Sequence, residues 1–414
     1  MGLYTWTRGT RRISLAALLL ISSWIFLAEI SSGTLSRDDP VAAPASFRFL
    51  WDAKLAPLGL RSDWGNLVSN HSRPRPDYNL VTFLDDKILI VSFPVYEGRN
   101  PPARRIFRVV LLNANTGRIL GTRQWEALQR ELGMQTTSAG KFVVRTRQKM
   151  ELYSQAFEKL AEFPLPDTRQ GEWEHWDVHA TPNRRNLVVS HFLGRDLTLD
   201  WLDSETLVSQ RRWHAPSGEF GLLAGFEAMI HDTSNSGIVA VRQQRNVTEY
   251  SPLPVDDCHV FVGDAERPLR KILERPRSCP VRGARGVKWV NEEVLFLPTL
   301  QGFLLFDADG RELLAETLGK NELGYYGRAS LNGRWFFVPI VQWKGGFAAL
   351  DIDQHLVLKR LQVYEISDEL RVLRHSDAKL NTKNVVTFAL SPDGTRLAIV
   401  RGSDIELYAA QGPR

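Results

Sequence analysis

Two histidines and an aspartate stand at alternate positions within Glu172–His179, EWEHWDVH. On a strand, side chains alternate between faces, so His175, Asp177 and His179 share one face. Two imidazoles and a carboxylate at that spacing suit zinc or another divalent ion. They equally suit a His–Asp acid/base pair. A third reading is structural, with Asp177 holding a histidine by a hydrogen bond inside a polar network. The three readings stay open on the residues alone. No Gly-rich phosphate loop, GxSxG elbow or HExxH motif adds to them.

Cys258 and Cys279 are the two cysteines of the chain. In an exported protein they can form a disulfide; the alternative is two small hydrophobes in neighbouring strands or loops. Two cysteines exclude a CxxCH haem site, an iron–sulfur cluster and a four-cysteine zinc site. No cofactor is expected, and a divalent metal at His175, Asp177 and His179 is the one ion the residues suggest.

The compartment is read from the N-terminus. Arg8, Arg11 and Arg12 precede an apolar run from Ile13 to Ala28, closed by Glu29 and Ser31-Ser32-Gly33. A basic region, an apolar region and a small-residue exit describe a signal peptide, and the same stretch can remain as a membrane anchor through residues 13–30. Either way the bulk of the chain is exported, to a periplasmic or secreted location or to a tethered one. Residues 1–33 are then leader, 34–45 linker and 46–414 the folded part. The chain carries a formal charge of +5, of which three arginines less Glu29 give the leader +2. The remaining +3 is too little for a nucleic-acid partner.

The elements that must position these residues repeat. Second strands begin near Ile88, Phe142, Leu187, Ile238, Leu295, Phe336 and Leu397, each after a turn rich in Asp, Asn, Ser or Gly. Third strands follow as RVVLL, MELYSQA, LTLDWL, CHVFV, GFLLF, GFAAL and IELYAA. Fourth strands close on an aromatic residue, as at Trp125, Phe163, Trp213 and Tyr364. Copies about 50 residues apart are the range of four-stranded propeller blades. One such sheet buries neither face, whereas a ring of them buries both. The seven copies therefore predict an all-β, seven-bladed β-propeller, expected as a monomer. The last copy supplies only three strands, so Ser46–Trp51 is expected to complete it and clasp the ring. EWEHWDVH falls on the innermost strand of the third blade, beside the central channel.

The last copy, NVVTFALSPDGTRLAIVRGSDIELYAA (384–410), with its SPDG turn and RLAIV strand, resembles the WD-repeat-like and YVTN-type propellers of bacteria. The resemblance is strong over 385–410, loose from about 80 onward, and lacks the GH dipeptide of eukaryotic repeats. It implies the fold; the fold hosts many functions. A binding or scaffold module is expected, taking a protein or saccharide on one face or at the channel mouth. The alternative is an enzyme at that mouth using His175, Asp177 and His179, and lactone hydrolysis comes first because similar propellers include lactonases. LLNANTGRIL and LDSETLVSQRRW are similar to the turns of quinone-binding propellers, but Asn113 and Leu207 replace the Asp and Gly of that motif. Asx and Thr capping of a hairpin accounts for both turns.

Overall fold

Strands with both faces buried read as continuous apolar runs, and those with one face wet alternate. Both kinds occur in each copy of the repeat. Val294–Thr299 is buried through its first five residues, whereas Lys159–Pro164 and Glu312–Thr317 alternate between exposed and half-buried. Middle strands are thus sandwiched, and fourth strands form a wet outer rim. The computed structural model describes residues 46–61, 81–97, 104–127, 133–146, 148–165, 174–193, 196–215, 226–245, 255–280, 287–299, 301–325, 327–343, 356–378, 380–383 and 385–411. The expected leader (1–33) and linker (34–45) lie outside them. Among the described residues no helix is long and apolar enough to cross a membrane.

Seven antiparallel sheets form seven blades: 81–127, 133–164, 174–215, 226–280, 288–317, 322–378, and 385–411 completed by 46–54. Six have four strands, in sequence order in blades 1 to 5 and with the N-terminal strand as the fourth in blade 7. In blade 6 the first strand is split into Glu322–Gly324 and Arg328–Ala329, both paired with Trp335–Trp343. Seven apolar clusters lie between successive blades and return to the start. Val143 and Val189 share one between blades 2 and 3, while the next residue back, Val188, joins Val239 between blades 3 and 4. Alternation along one strand thus supplies both neighbouring cores. The last cluster joins Leu89 and Val91 of blade 1 to Val400 and Leu407 of blade 7, so the ring is closed. The chain is a seven-bladed β-propeller.

Ser46–Lys54 pairs antiparallel with Asp404–Gln411, from Ser46 opposite Gln411 to Lys54 opposite Asp404. The N-terminal strand completes the last blade, as its sequence predicts. In blade 6 the expectation fails. Its third strand is Leu356–Ile366, which contains Tyr364, and its fourth is Val372–Ala378; GFAAL lies outside the described residues.

The turns after the first strands share one device. Thr137, Thr181, Ser234, Ser330 and Ser391 are buried at the end of that strand. Their hydroxyls accept an N–H from four or five residues on, as in Asn186 N–H to Thr181 Oγ1 (3.2 Å) and Arg396 N–H to Ser391 Oγ (2.9 Å). Three also donate to an Asn or Asp two residues on: Asn183, Asn332 and Asp393. The hydroxyl substitutes for backbone pairing at a buried corner.

A second device stiffens the third strands. Tyr153 donates to Glu151 Oε2 (2.7 Å) and Tyr408 to Glu406 Oε2 (2.7 Å). Burial would raise the Glu151 pKa, but hydrogen bonds from Lys149, Lys159 and Tyr153 outweigh it and lower it to about 2. A carboxyl with a depressed folded pKa stabilises fully above its unfolded value and loses that contribution as pH falls through the folded one. The Glu151 contribution is therefore present at pH 5 and lost between about 4.5 and about 2. It amounts to roughly 2–3 kcal/mol, discounted for the half-exposed lysines. Urea unfolding of Glu151→Gln at pH 5 and at pH 2.5 should show a smaller acid-induced loss than wild type. Parallel acid limbs would refute this.

Candidate functional site

Each first strand faces the ring axis, and its register against the following turn fixes an equivalent residue in every blade. Two positions before the turn stand Thr82, Gln135, His179, Asp232, Lys288, Arg328 and Ala389. The residues just after them, such as Phe83, Thr136, Thr233, Trp289 and Leu390, are buried, while Gln135, His179, Asp232, Lys288 and Arg328 stay half-exposed. Five of the seven register positions, all polar, thus stay half-exposed toward the axis, while Thr82 and Ala389 are buried.

These side chains reach toward the next blade. Gln135 Nε2 donates to the Val178 carbonyl (3.1 Å). His179 Nε2 lies 3.3 Å from Thr233 Oγ1 and 3.6 Å from Asp232 Oδ1. Asp232 Oδ2 accepts the Trp289 backbone N–H (2.8 Å). The relay ties blades 2, 3, 4 and 5 together around the axis.

Arg184 crosses the ring. It sits in the first turn of blade 3 with φ +58°, an uncommon conformation for a side chain of its size. Its Nη1 donates to the Phe83 carbonyl (2.7 Å) and its Nη2 to Thr82 Oγ1 (3.2 Å), both in blade 1. Burial, and then the charge of Arg328 in blade 6, lower its pKa to about 10, so it remains a cation at neutral pH. Among the described residues no carboxylate pairs with Arg184. The charge of blade 6 thus acts on the guanidinium of blade 3.

His175, Asp177 and His179 all lie on Glu174–Ala180, the first strand of blade 3, opposite Phe192, Ser190 and Val188. The side chains of His175 and Asp177 lie outside the described residues. His179 takes part in an inter-blade network of the kind weighed from the sequence, with Asp232 of the next blade as a carboxylate beside it. Among the described residues no group of three His, Cys, Asp or Glu is placed to hold a metal ion. Cys258 and Cys279 lie on adjoining strands, opposite Arg275 and Asp256, with side chains outside the described residues. The ring of seven positions and the bridging Arg184 were not singled out from the sequence. Counting back two residues from each turn would have found the ring.

No protein-family model matches the chain, and neither does any curated protein. Among solved structures it is similar to the RRP9 WD40 repeats, at 11% identity and a TM-score of 0.48, over 89% of this chain and 99% of that one. It is also similar to a chain of a mitotic checkpoint complex, at 12% identity and a TM-score of 0.47, over 90% of this chain and 94% of that one. These are likenesses of architecture, and the propeller assignment rests on the chain's own seven sheets, its inter-blade clusters and the strand that closes them.

Proposed function

We propose that this chain is an exported binding and scaffold module that engages a protein partner at the channel mouth. The observation that carries the reading is the axial ring. Five of its residues, Gln135, His179, Asp232, Lys288 and Arg328, are polar and half-exposed, and each comes from a different blade. A surface assembled from rigid strands presents polar groups in fixed positions, as specific recognition requires. Export rests on the basic and apolar leader in residues 1–33, and kinship with YVTN-type bacterial propellers on residues 385–410.

Photo-crosslinking amino acids placed at Gln135 and Lys288 should capture a partner. The same group at Leu160, an exposed apolar residue on the outer strand of blade 2, should not. Crosslinks confined to Leu160, or none from either ring position, would refute the reading. Sequencing the N-terminus of the mature chain tests export and separates release from anchoring. The catalytic alternative, a metal or acid/base site on His175, Asp177 and His179, predicts stoichiometric metal or lactone hydrolysis abolished by His179→Ala. The binding reading expects neither.

A further inference from the structure

We infer that Asn332 is a covalent modification site, deamidating at its side-chain amide, and that the folded turn of blade 6 holds the reaction back. Asn332-Gly333 is the one Asn-Gly pair in the chain. Such a pair is chemically labile, because no Cβ shields the nitrogen that follows the asparagine. The Gly333 nitrogen attacks Asn332 Cγ and gives up its proton; a C–N bond forms and ammonia leaves, closing a succinimide. Water then opens that ring at one carbonyl or the other, to aspartate or to isoaspartate. No reagent but water is consumed.

Asn332 is exposed to that water, yet the turn opposes each movement the attack needs. Asn332 Oδ1 accepts from the Ser330 hydroxyl (2.6 Å) and from the Arg334 N–H (3.1 Å), which fixes the amide in one orientation. The attacking Gly333 N–H is committed to the Ser330 carbonyl (2.9 Å). Gly333 itself is buried at φ +70°, and a Cβ there would stand 2.4 Å from Asn291 Cβ of blade 5. The peptide between Asn332 and Gly333 therefore cannot swing toward the side chain without displacing the neighbouring blade. Reaction proceeds from molecules whose turn has opened, at the unfolded rate multiplied by the open fraction.

The two products differ in what they do to the fold. Aspartate at this position reproduces blade 7, where Asp393 Oδ1 accepts from the Ser391 hydroxyl (2.5 Å) and the Thr395 N–H (3.0 Å). Isoaspartate lengthens the main chain by one carbon and takes that carbon from the side chain which Ser330 and Arg334 hold. The bond from Ser330 N–H to the Trp335 carbonyl (2.8 Å) then falls out of register, beneath a tryptophan packed between blades 6 and 7. An opening of this turn is thus written irreversibly into the chain.

The test incubates the full chain, native and urea-unfolded, at mildly alkaline pH. Peptide mapping follows the amide-to-acid mass change and the isoaspartate content at Asn332. In the unfolded chain Asn332 should react before any other asparagine. In the native protein it should react at least about ten-fold more slowly, the least protection expected of a turn clamped by its neighbour. Ser330→Ala, which frees Oδ1 of one restraint, should speed the native reaction several-fold and leave the unfolded rate unchanged. Asn332→Asp should keep the wild-type urea midpoint, whereas protein carrying isoaspartate should unfold at lower urea. Equal rates in the native and unfolded chains, or a native Ser330→Ala protein that reacts no faster than wild type, would overturn the inference. Should Ser330→Ala fail to fold, the wild-type rate below the unfolding midpoint decides. It should climb with urea, because opening exposes buried surface, and a rate indifferent to urea would overturn the inference.

Discussion

Removing residues 1–61 should abolish the cooperative native state, leaving aggregate or a dye-binding compact form. Adding a peptide of residues 46–61 in trans should recover folded protein. The strand Ser46–Lys54 supplies the fourth strand of blade 7, and the segment after it continues the closure. Leu55 donates its N–H to the Ser403 carbonyl (3.0 Å), and Leu55 and Leu60 are buried in the cluster between blades 7 and 1. The Trp51 indole N–H bonds the Ala114 carbonyl of blade 1 (3.0 Å). Losing one large buried side chain costs about 2–5 kcal/mol. Losing three, plus the pairing, exceeds the roughly 5–15 kcal/mol that holds a typical domain together. Deletion also bares the edge Asp404–Gln411, a template for misassociation. The milder Trp51→Ala should lower stability by about 3–5 kcal/mol in urea. A truncated chain with an unchanged unfolding midpoint would show that the ring does not depend on this strand.

The sequence carried the ring but mislaid part of one blade, and the reason is physical. Apolar β-branched runs after Asx or Gly turns mark second strands in all seven copies, because those strands are buried on both sides. In blade 6 the true turn between third and fourth strands is Ser367–Arg371, and its left-handed position is held by Leu370 at φ +59°. Glycine, the usual sign of that turn, is missing. Phe157 and Leu207 occupy the same conformation in blades 2 and 3, at φ +62° and +58°, whereas blade 1 uses Gly117 and blade 5 Gly310. Size is balanced against the preceding blade. Gly117 lies under the ring of Trp51, and Phe157 lies over Gly121. The residue type at the turn is thus chosen by its neighbour, which a local motif does not encode. This also explains Leu207 in the turn that resembled a quinone-binding motif: its side chain is buried between blades 2 and 3.

The axial ring was hidden for a different reason. Its seven residues are Thr, Gln, His, Asp, Lys, Arg and Ala, so no residue type repeats; only register relates them. The tandem His175, Asp177 and His179 drew notice because its members are close in sequence. Asp232, a carboxylate beside His179, is 53 positions away in the chain, at the same register in the next blade. By contrast, the Glu-Leu-Tyr of MELYSQA recurs in IELYAA, and both copies form the same carboxylate–phenol bond. That signal was legible as a repeat before its bond was seen.

Gly394→Ala should lower stability by about 3 kcal/mol, and Gly237→Ala by only about 1 kcal/mol. Both glycines close the first turn of their blades with positive φ, +76° and +90°, so both substitutions carry the left-handed penalty of an L side chain. They differ in what the new methyl meets. At Gly394 it would stand 2.3 Å from Trp335 Cδ1 and 2.9 Å from Trp335 Cβ, the fixed root of a side chain packed between blades 6 and 7. At Gly237 its nearest neighbour is the tip of Arg211, at 2.8 Å, which can swing away. The turn glycine of the SPDG sequence is therefore required twice, once for its backbone and once for the blade before it. A double-mutant cycle with Trp335→Ala separates the two demands. The clash of the new methyl with the Trp335 ring should vanish in that background, leaving only the contact with Cβ, a coupling of about 1–3 kcal/mol in urea unfolding. Strict additivity would mean that the backbone alone requires the glycine and that the turn plays no part in seating blade 7 on blade 6.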